Sequence, residues 1–344
     1  IGFQTRYDNV NPISLSRTQG GVPMAKLDSN GNLWPSTVRR DILNEYNISF
    51  YAENRMQWSP WFQSVIGLRN DFYHFDVDSN LEANSGKKSD NMTSPKLAFV
   101  FGPWSKTEFY LNGGGGFHSN DARGITTRVD PNAPTVTTRR ATPLVRTWGY
   151  EVGFRTGIVS GLQTTVSLWQ LHVDSELLFV GDAGSTVASR PSLRRGIEFT
   201  NYWRPVSWVV IDADLSFSRA RFRGNDPMGS HIPGSMQRVA SIGVSVDHNN
   251  WFGGVRLRHF GPRPLIENNS QIGSSSTLVN LRAGYRFARY LQVSMDVFNL
   301  IGSKPNDISY FYRSKLSGEA ASVADKHIHP AEQRSIRFTV RASF

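Results

Sequence analysis

Apolar and polar residues alternate strictly along one segment of this chain after another, and this period of two constrains the fold more than any other feature. The pattern is clearest in 209–218, 279–287 and 291–297. A period of two indicates extended strands whose two faces meet different environments. About 14 segments of this kind are predicted, and several reach the roughly 9–11 residues that a tilted strand needs to cross a bilayer. They lie near 1–8, 43–57, 61–78, 94–102, 105–116, 145–158, 161–180, 192–204, 209–218, 237–249, 251–260, 279–287, 291–297 and 336–344.

The connections between these segments alternate between long and very short. Long connections are predicted at 9–42, 79–93, 117–144, 181–191, 222–236, 261–275 and 300–330. Short turns are centred on Ser59-Pro60, Pro103-Trp104, Val159-Ser160, Pro205-Val206, Asn249-Asn250 and Ala288-Arg289. A bacterial outer-membrane barrel has this asymmetry, because its periplasmic turns are short and its extracellular loops are long. Aromatic residues gather beside the short turns, where an interfacial girdle is expected: Trp58, Trp61, Trp104, Trp203, Trp208, Trp251, Phe252 and Tyr290.

The composition of the chain excludes several classes of protein. Its 344 residues contain no Cys, which excludes disulfide scaffolds and thiol-ligated metals. No run of 18 apolar residues is present, which excludes a helical membrane span. The chain begins at Ile1, and we interpret it as a processed or truncated piece of a longer product.

The strand pattern alone also fits a soluble sandwich with an apolar interior. The asymmetry of the connections favours a membrane barrel, whose apolar strand faces contact lipid and whose polar faces line the lumen. The predicted fold class is therefore all-β, an antiparallel transmembrane β-barrel.

Charged residues divide between the predicted lumen wall and the long connections. The wall carries a nearly balanced set, which we expect to pair across neighbouring strands: Arg69, Arg155, Arg256, Arg258, Arg282, Arg286, Arg337 and Arg341, with Glu45, Glu53, Asp71, Glu108, Glu151, Glu198, Asp212, Asp214, Asp247 and Asp296. The formal net charge is +10, so the basic excess lies in the long connections.

A basic outer rim would contact lipopolysaccharide phosphates or attract an anionic ligand. The rim charges include Arg123, Arg128, Arg139 and Arg140 in one connection. Scattered, solvated charges without a partner are the alternative. No nucleic-acid partner is predicted, because the sequence has no helix-turn-helix pattern, RNP-like strand or zinc-finger spacing.

Two short motifs suggest chemistry without establishing it. His327 and His329 would face the same way on an extended segment, and this spacing permits either metal coordination or local hydrogen bonding. The run Gly113–Gly116 lacks the Lys-Ser/Thr and the helix of a phosphate-binding loop, and glycines in a barrel strand permit bending or close packing. We find no catalytic constellation, so the chain is not predicted to be an enzyme or to need a cofactor or a metal.

Several motifs, taken in order, resemble the barrel region of TonB-dependent outer-membrane receptors. They are Gly102-Pro103-Trp104-Ser105-Lys106-Thr107-Glu108, Gly116-Phe117-His118-Ser119-Asn120-Asp121-Ala122-Arg123-Gly124, Val180-Gly181-Asp182-Ala183-Gly184, Arg195-Gly196-Ile197-Glu198, Gly261-Pro262-Arg263-Pro264-Leu265, Val297-Phe298-Asn299-Leu300, and the ending from His329-Pro330-Ala331-Glu332-Gln333-Arg334 to Phe344. The resemblance covers essentially the whole chain.

The resemblance implies a barrel of about 22 strands filled by an N-terminal plug, with a TonB-contacting box ahead of the plug. This sequence has neither plug nor box. We therefore expect residues 1–344 to be a partial barrel domain, roughly the last two-thirds of the barrel of a receptor in the outer membrane of a Gram-negative bacterium. Such a receptor imports a scarce solute, often a ferric siderophore, with energy supplied through TonB. A passive, closed 14-stranded channel and a soluble β-rich binding module remain the alternatives.

The predicted extracellular loops supply candidate residues for ligand contact, and the resemblance implies partners. The candidates for ligand contact, all expected in extracellular loops, are His118, Asp121, Arg123, Asp182, Arg263, Arg313, His327 and His329. Phe344 is similar to the terminal aromatic residue that the barrel-assembly machinery reads. The expected partners are TonB, that machinery, lipopolysaccharide and a small-molecule or metal-chelate ligand.

Overall fold

One antiparallel sheet of 14 long strands dominates the computed structural model, which describes residues 1–19, 22–27, 31, 33–180, 185–315 and 319–343. Strands are labelled in chain order. The long ones are β1 (Gly2–Ser16), β6 (Thr37–Ser59), β7 (Phe62–Ser79), β8 (Gly86–Trp104), β9 (Thr107–Ser119), β12 (Leu144–Thr156), β13 (Leu162–Val173), β16 (Ser192–Val206), β17 (Val209–Phe222), β18 (Arg238–His248), β19 (Trp251–Phe260), β22 (Ser276–Ala288), β23 (Leu291–Phe298) and β26 (Ser335–Ala342).

Short elements occupy the long connections between these strands. They are β2 (Thr18–Gln19) paired with β3 (Val22–Pro23), β4 (Lys26–Leu27) with β5 (Leu33–Trp34), β10 (Val129–Asp130) with β11 (Ala133–Thr137), β14 (Leu177–Val180) with β15 (Ser185–Ala188), β20 (Arg263–Pro264) with β21 (Ile272–Gly273), and β24 (Asn306–Ser314) with β25 (Val323–Pro330). A 3-10 turn covers Glu82–Asn84 and the helix α1 covers Ala122–Thr126. Within the described residues, no helix is long and apolar enough to cross a membrane.

The sheet is an up-and-down meander, in which each long strand pairs with the next long strand along the chain. The predicted strands are confirmed with one correction: the strand predicted at 161–180 ends at Val173, and Leu177–Val180 pairs instead in the β14–β15 hairpin. Each short turn lies within two residues of its predicted centre. In the turn between β8 and β9, Ser105 and Lys106 both adopt positive φ angles of 48° and 60°, as a two-residue turn of type I′ requires. The tight turns are therefore confirmed as hairpin turns.

The connection predicted at 79–93 is wrong. Strand β7 ends at Ser79 and β8 already begins at Gly86, so the connection is short. Asp76 is paired in register with Lys87, and the two side chains form an ion pair of 2.8 Å. Both faces of this stretch are polar, so the sequence loses its alternation although the strand continues.

The two edges of the sheet are β1 and β26. A closed 14-stranded channel would require 1–8 to pair with 336–344. Between the residues that the structure describes in these two ranges, no such pairing is present. The architecture therefore lacks the feature on which the passive-channel alternative depends.

The outer face of the sheet is an apolar band. One continuous cross-strand row runs through Leu111, Val152, Leu168, Ile197 and Phe217, each paired in register with the next. Leu111, Val152, Leu168 and Phe217 are exposed, although a soluble protein would bury such a row. The row therefore has the character of a lipid-facing surface.

The predicted aromatic girdle is confirmed with one correction. The seven residues that are exposed beside the short turns are Trp58, Trp61, Trp104, Trp203, Trp208, Trp251 and Tyr290. Phe252 instead lies under the guanidinium of Arg286, with 4.6 Å between the Arg286 Cζ atom and the ring centroid. In register Phe252 shares the face of Asp247, so it belongs to the lumen wall.

At the far end from the short turns, the long connections fold inward over the wall. Helix α1 places Ile125 against Phe75 and Val77 of β7, in a buried cluster with Met92 and Leu144. Phe75 and Val77 share the lumen-facing side of β7 with Asp71, because they are separated from it by even numbers of residues. A second, smaller cluster packs Ala220 and Phe222 of β17 against Ile232 and Leu178.

Candidate functional site

Ion pairs between strands cover the lumen wall of β17–β23. Arg256 of β19 pairs with Asp212 of β17 at 2.8 Å, and Arg286 of β22 pairs with Asp247 of β18 at 2.7 Å. Arg282 pairs with Asp296 on the adjacent strand at 2.5 Å. Except for Asp212, these residues line a concavity of about 680 Å³ on the inner face. The predicted pairing across neighbouring strands is confirmed for Arg282 and Asp296, whereas the other two pairs reach across one intervening strand.

The lumen wall of β6–β8 has a network centred on Asp71, which is 1% exposed. Its carboxylate accepts hydrogen bonds from Arg69 Nε at 2.8 Å, Ser49 Oγ at 2.6 Å and Asn47 Nδ2 at 3.4 Å. These partners satisfy a charge that would otherwise be costly to bury. Arg155 and Glu108 form a further pair between β12 and β9. The inner wall is thus polar, and Asp71 and Glu108 on it are each paired with an arginine.

Hydrogen bonds of charged side chains cap helix α1 and attach the connection 120–143 to the lumen wall. Asp121 caps α1 by accepting a hydrogen bond from the Arg123 backbone N–H at 2.9 Å, and it also accepts one from Arg123 Nε at 2.9 Å. Arg39 of β6 donates to the fully buried Asp41 and, at 3.2 Å, to Thr127 Oγ1. Burial opposes the ionisation of Asp121, but Arg123 outweighs it and holds the pKa of Asp121 below its ordinary value.

Asn84 is a second anchor of this connection, and the sequence analysis missed it. Its side-chain oxygen accepts the backbone N–H groups of Arg128 at 2.8 Å and Val129 at 3.0 Å, and its Nδ2 donates to the Val129 carbonyl at 3.1 Å. The side chain is fully buried. No motif marks it, because it lies in a stretch that reads as an ordinary polar loop.

Arg190 joins three of the remaining long connections. Its guanidinium pairs with Glu267, donates to the Gly229 carbonyl at 3.0 Å and lies 3.2 Å from Asp226. It also stacks over the ring of Phe222, with its Cζ atom 4.5 Å from the ring centroid. One arginine thus ties 174–191 to 223–237 and 261–275. Sequence reasoning missed this residue too, since its partners are distant along the chain.

Three predicted ligand residues lie where β9 passes into α1. Asp121 and Arg123 are brought together as a capping pair, and 36% of the Asp121 side chain is exposed. His118 precedes them on β9 and lies within the electrostatic influence of Glu176. The Nε2 atom of His118 is buried and has no hydrogen-bond partner among the described residues. Asp121 and Arg123 are thus bonded to each other, whereas the Nε2 atom of His118 is not hydrogen-bonded to any described residue.

The other predicted ligand residues belong to the last connections. Arg263 is 4% exposed and donates to the Asp307 carbonyl at 3.1 Å, which ties its connection to the β24–β25 hairpin. Arg313 is exposed and donates to the Ser322 carbonyl at 2.8 Å.

The ring of His327 stacks on Tyr312 with centroids 3.7 Å apart, and its Nε2 atom lies 3.2 Å from Ser314 Oγ. His329 is exposed. Local interactions therefore engage His327 in this structure. Within the described residues, no group of three His, Asp or Glu side chains is placed to hold a metal ion.

Two predicted residues, Asp182 and Phe344, lie outside the described residues. The run Gly113–Gly116 forms part of β9 and packs closely against its neighbours. A Cβ at Gly114 would lie 3.0 Å from the Pro95 carbonyl oxygen, and one at Gly115 would lie 3.1 Å from Pro95 Cδ. Close packing between strands, rather than phosphate binding, accounts for these glycines.

Comparison with known proteins gives a consistent result. A family model described as TonB dependent receptor-like, beta-barrel matches residues 2–300. The structure of the ferric yersiniabactin uptake receptor FyuA from Yersinia pestis is similar with a TM-score of 0.72 at 14% sequence identity, over 99% of this chain and 51% of that chain. The closed form of the ferric-catecholate import receptor Fiu from E. coli K12 gives 0.70 at 15% identity, over 91% and 47%. The copper transporter OprC gives 0.65 at 18% identity, over 93% and 53%. The chain spans about half the length of these structures, and at these identities the likeness concerns the fold.

Proposed function

This chain belongs to the TonB-dependent receptor-like β-barrel family, and on that premise we propose that it forms barrel wall and outer vestibule of an outer-membrane importer energised through TonB. The observation that carries the proposal is the opposite character of the two sheet faces. Strands β9, β12 and β17 carry exposed Leu111, Val152 and Phe217 on the outer face. On the inner face of the same strands, Glu108 pairs with Arg155, and Asp212 pairs with Arg256 of β19. Charges on an inner wall are stable only beside water or a polar partner, as in the lumen of a membrane barrel.

We propose an anionic metal chelate, such as a ferric siderophore, as the solute. FyuA and Fiu are named for ferric chelates, which makes this class the first to test. On the chain itself, Arg128, Arg139 and Arg140 are exposed in the connection 120–143. A basic surface raises the local concentration of an anion, within a screening distance of about 8 Å at physiological salt.

The candidate ligand residues fall into two groups, according to whether other protein groups already engage their charges. We propose that His118, Arg313, His327 and His329 contact the solute. We propose that Asp121, Arg123 and Arg263 position the connections that carry such contacts, because their charges are engaged by protein groups. Asp182 remains a prediction.

A plug domain in the complete receptor is part of the same proposal. The longest described connections, 120–143 and 299–334, are engaged in packing on the wall or in the β24–β25 hairpin. A stopper for the lumen, and the contact with TonB, would come from other sequence. Residues 1–344 then act as a partial barrel domain. Lipopolysaccharide at the basic rim and the barrel-assembly machinery at Phe344 are the further proposed partners.

The test is uptake of radiolabelled ferric chelates by cells that produce the full-length receptor, with and without TonB. We expect uptake of at least one anionic ferric chelate that requires TonB and is lost when the receptor gene is deleted. The matched measurement is single-channel conductance of the intact receptor and of the same barrel without its plug, in a planar bilayer. We expect a closed intact receptor and an open barrel.

Uptake through the intact receptor that does not need TonB would contradict the energised mechanism and favour a passive channel. TonB-dependent uptake restricted to neutral or cationic solutes would contradict the choice of an anionic chelate and leave the mechanism intact. The two parts of the proposal can therefore fail separately.

A further inference from the structure

Two arginines stand on the lipid side of the sheet, directly above the apolar band. Arg195 of β16 is paired in register with Arg219 of β17. Arg195 shares the outward face of Ile197, and Arg219 shares that of Phe217, because the positions differ by two residues. Both arginines are exposed. They differ in this from Arg256, Arg282 and Arg286, which point into the lumen.

The position of Arg219 along its strand matches the upper edge of a bilayer. Strand β17 begins at Val209, beside the short turn and Trp208, and Arg219 lies ten residues further. Ten residues span about 33 Å along a strand, or about 25 Å along the membrane normal at a tilt of about 40°. The apolar band of an outer-membrane barrel is also about 25 Å tall. Arg195 and Arg219 therefore lie at the depth of the lipid headgroups.

Further cationic groups adjoin this pair. Arg221 lies two residues beyond Arg219 on the same outward face of β17. Its backbone forms an isolated antiparallel β-bridge with that of His231. Burial lowers the pKa of His231, and the charges of Arg221 and Arg219 lower it further, against a hydrogen bond with the Glu267 carbonyl. The arginines thus lie near enough to His231 to repel its protonated form.

Among the residues that the structure describes, no carboxylate forms an ion pair with Arg195, Arg219 or Arg221. Arg256, Arg282 and Arg286 on the lumen wall, in contrast, each pair with a carboxylate. Like charges directly opposite on paired strands are destabilising. A cluster of this kind is stabilised when an anion lies against it.

We propose that Arg195, Arg219 and Arg221 form a binding site on the barrel exterior for the phosphate group of an outer-leaflet lipid. Planar guanidinium groups bind phosphate oxygens through paired, charge-assisted hydrogen bonds. The acyl chains of the same lipid would cover the apolar row that ends at Ile197 and Phe217. On the neighbouring strand β13, the Nε2 atoms of Gln170 and His172 lie 2.8 Å apart, and these side chains add polar groups beside the site. The inference rests on the proposed membrane placement of the barrel.

The test uses the full-length receptor purified in detergent and titrated with diphosphorylated lipid A or with its dephosphorylated form, followed by native mass spectrometry. We expect the diphosphorylated lipid to bind at least about tenfold more tightly, since charge-assisted contacts discriminate by this order. Arg195→Gln/Arg219→Gln should abolish that difference. Lys106→Gln/Arg289→Gln, which removes two charges at the short-turn edge, should retain it. Heat-modifiable migration in gels checks that each barrel is folded.

Equal binding of the two lipid forms by the unaltered receptor would overturn the proposal, as would an equal loss in the two double variants. Inorganic phosphate is the competing probe. If it displaces the lipid at similar concentrations, the site is an anion site without a lipid component, and the proposal fails in that form. Lipid binding is measured without uptake, so its outcome is separate from that of the TonB experiment. A failure of the membrane placement itself would appear as a receptor absent from the outer-membrane fraction.

Discussion

Replacing Ile125 by Ala tests whether apolar packing holds the connection 120–143 against the lumen wall. Ile125 is 3% exposed and lies in the cluster with Phe75, Val77 and Leu144. Helix α1 has five residues, far too few to be stable as an isolated helix in water. Its hydrogen bonds therefore persist only while the cluster holds it in place.

The expected magnitude follows from the lost contacts. Truncation of a buried Ile to Ala costs about 2–5 kcal/mol in a well-packed core. The lower part of that range, about 2–3 kcal/mol, is appropriate because this cluster is small and can partly collapse. At about 1.4 kcal/mol per factor of ten, the open form of the connection should become roughly 30- to 150-fold more populated.

Hydrogen exchange measures this opening directly. The reporters are the amides of Ile125 and Thr127, which donate to the Asp121 and Arg123 carbonyls at 3.2 and 3.0 Å. In Ile125→Ala, their exchange should accelerate by the factor given above, while strand amides near the short turns keep their protection. Val136→Ala is the control, because Val136 lies in the same connection and is 53% exposed. Unchanged exchange in Ile125→Ala, or equal acceleration in the control, would refute the packing argument.

Three further predictions concern topology, pH and assembly. Single cysteines at Asn132 and Asn250 should be labelled by a membrane-impermeant thiol reagent on whole cells only at 132, and the reverse result would invert the topology. Because the pKa of Asp121 lies below its ordinary value, its contribution to α1 is present above a pH of about 3.9 and is lost as the pH falls through the folded-state pKa. The protection factor of the α1 amides, which corrects for the slower intrinsic exchange in acid, should therefore drop below that pH in the native protein and much less in Asp121→Asn; an equal drop would exclude Asp121 as the cause. Phe344→Ala should lower the amount of receptor in the outer membrane with unchanged uptake per inserted molecule, and a normal amount with lost uptake would contradict an assembly role.

The bilayer-spanning part of the fold is predictable from sequence because lipid imposes a two-residue period. Leu291, Val293 and Met295 alternate with polar residues, and the strand β23 occupies that segment. The tight turns are predictable for a related reason, since outer-membrane barrels have short turns at one end and longer loops at the other. Ion pairing on the inner wall follows from the same facing rule.

The rest of the fold and of the candidate site depends on contacts between residues distant in sequence, which produce no local sequence pattern. Gly86–Asp90 carries no apolar side chain, so it lacks the alternation of a strand although it is paired with β7. Asn84 and Arg190 acquire their roles from groups far away along the chain. A buried polar anchor resembles any loop residue until its partners are known. The identity of the solute is unpredictable for the same reason, because it depends on how the connections assemble.

The length of β6 shows how far the sheet extends beyond the apolar band. Strand β6 has 23 residues, or about 76 Å along the strand and about 58 Å along the normal at a tilt of about 40°. The apolar band needs only about 25 Å of this height. Phe75 lies thirteen residues beyond Phe62 at the short-turn end of β7, about 33 Å up the normal, so its burial under α1 is made by protein and not by lipid. More than half of β6 is thus free of the alternation that lipid requires. In the proposed receptor, this upper part can vary in sequence to fit a solute without disturbing the lower, alternating part of the strands.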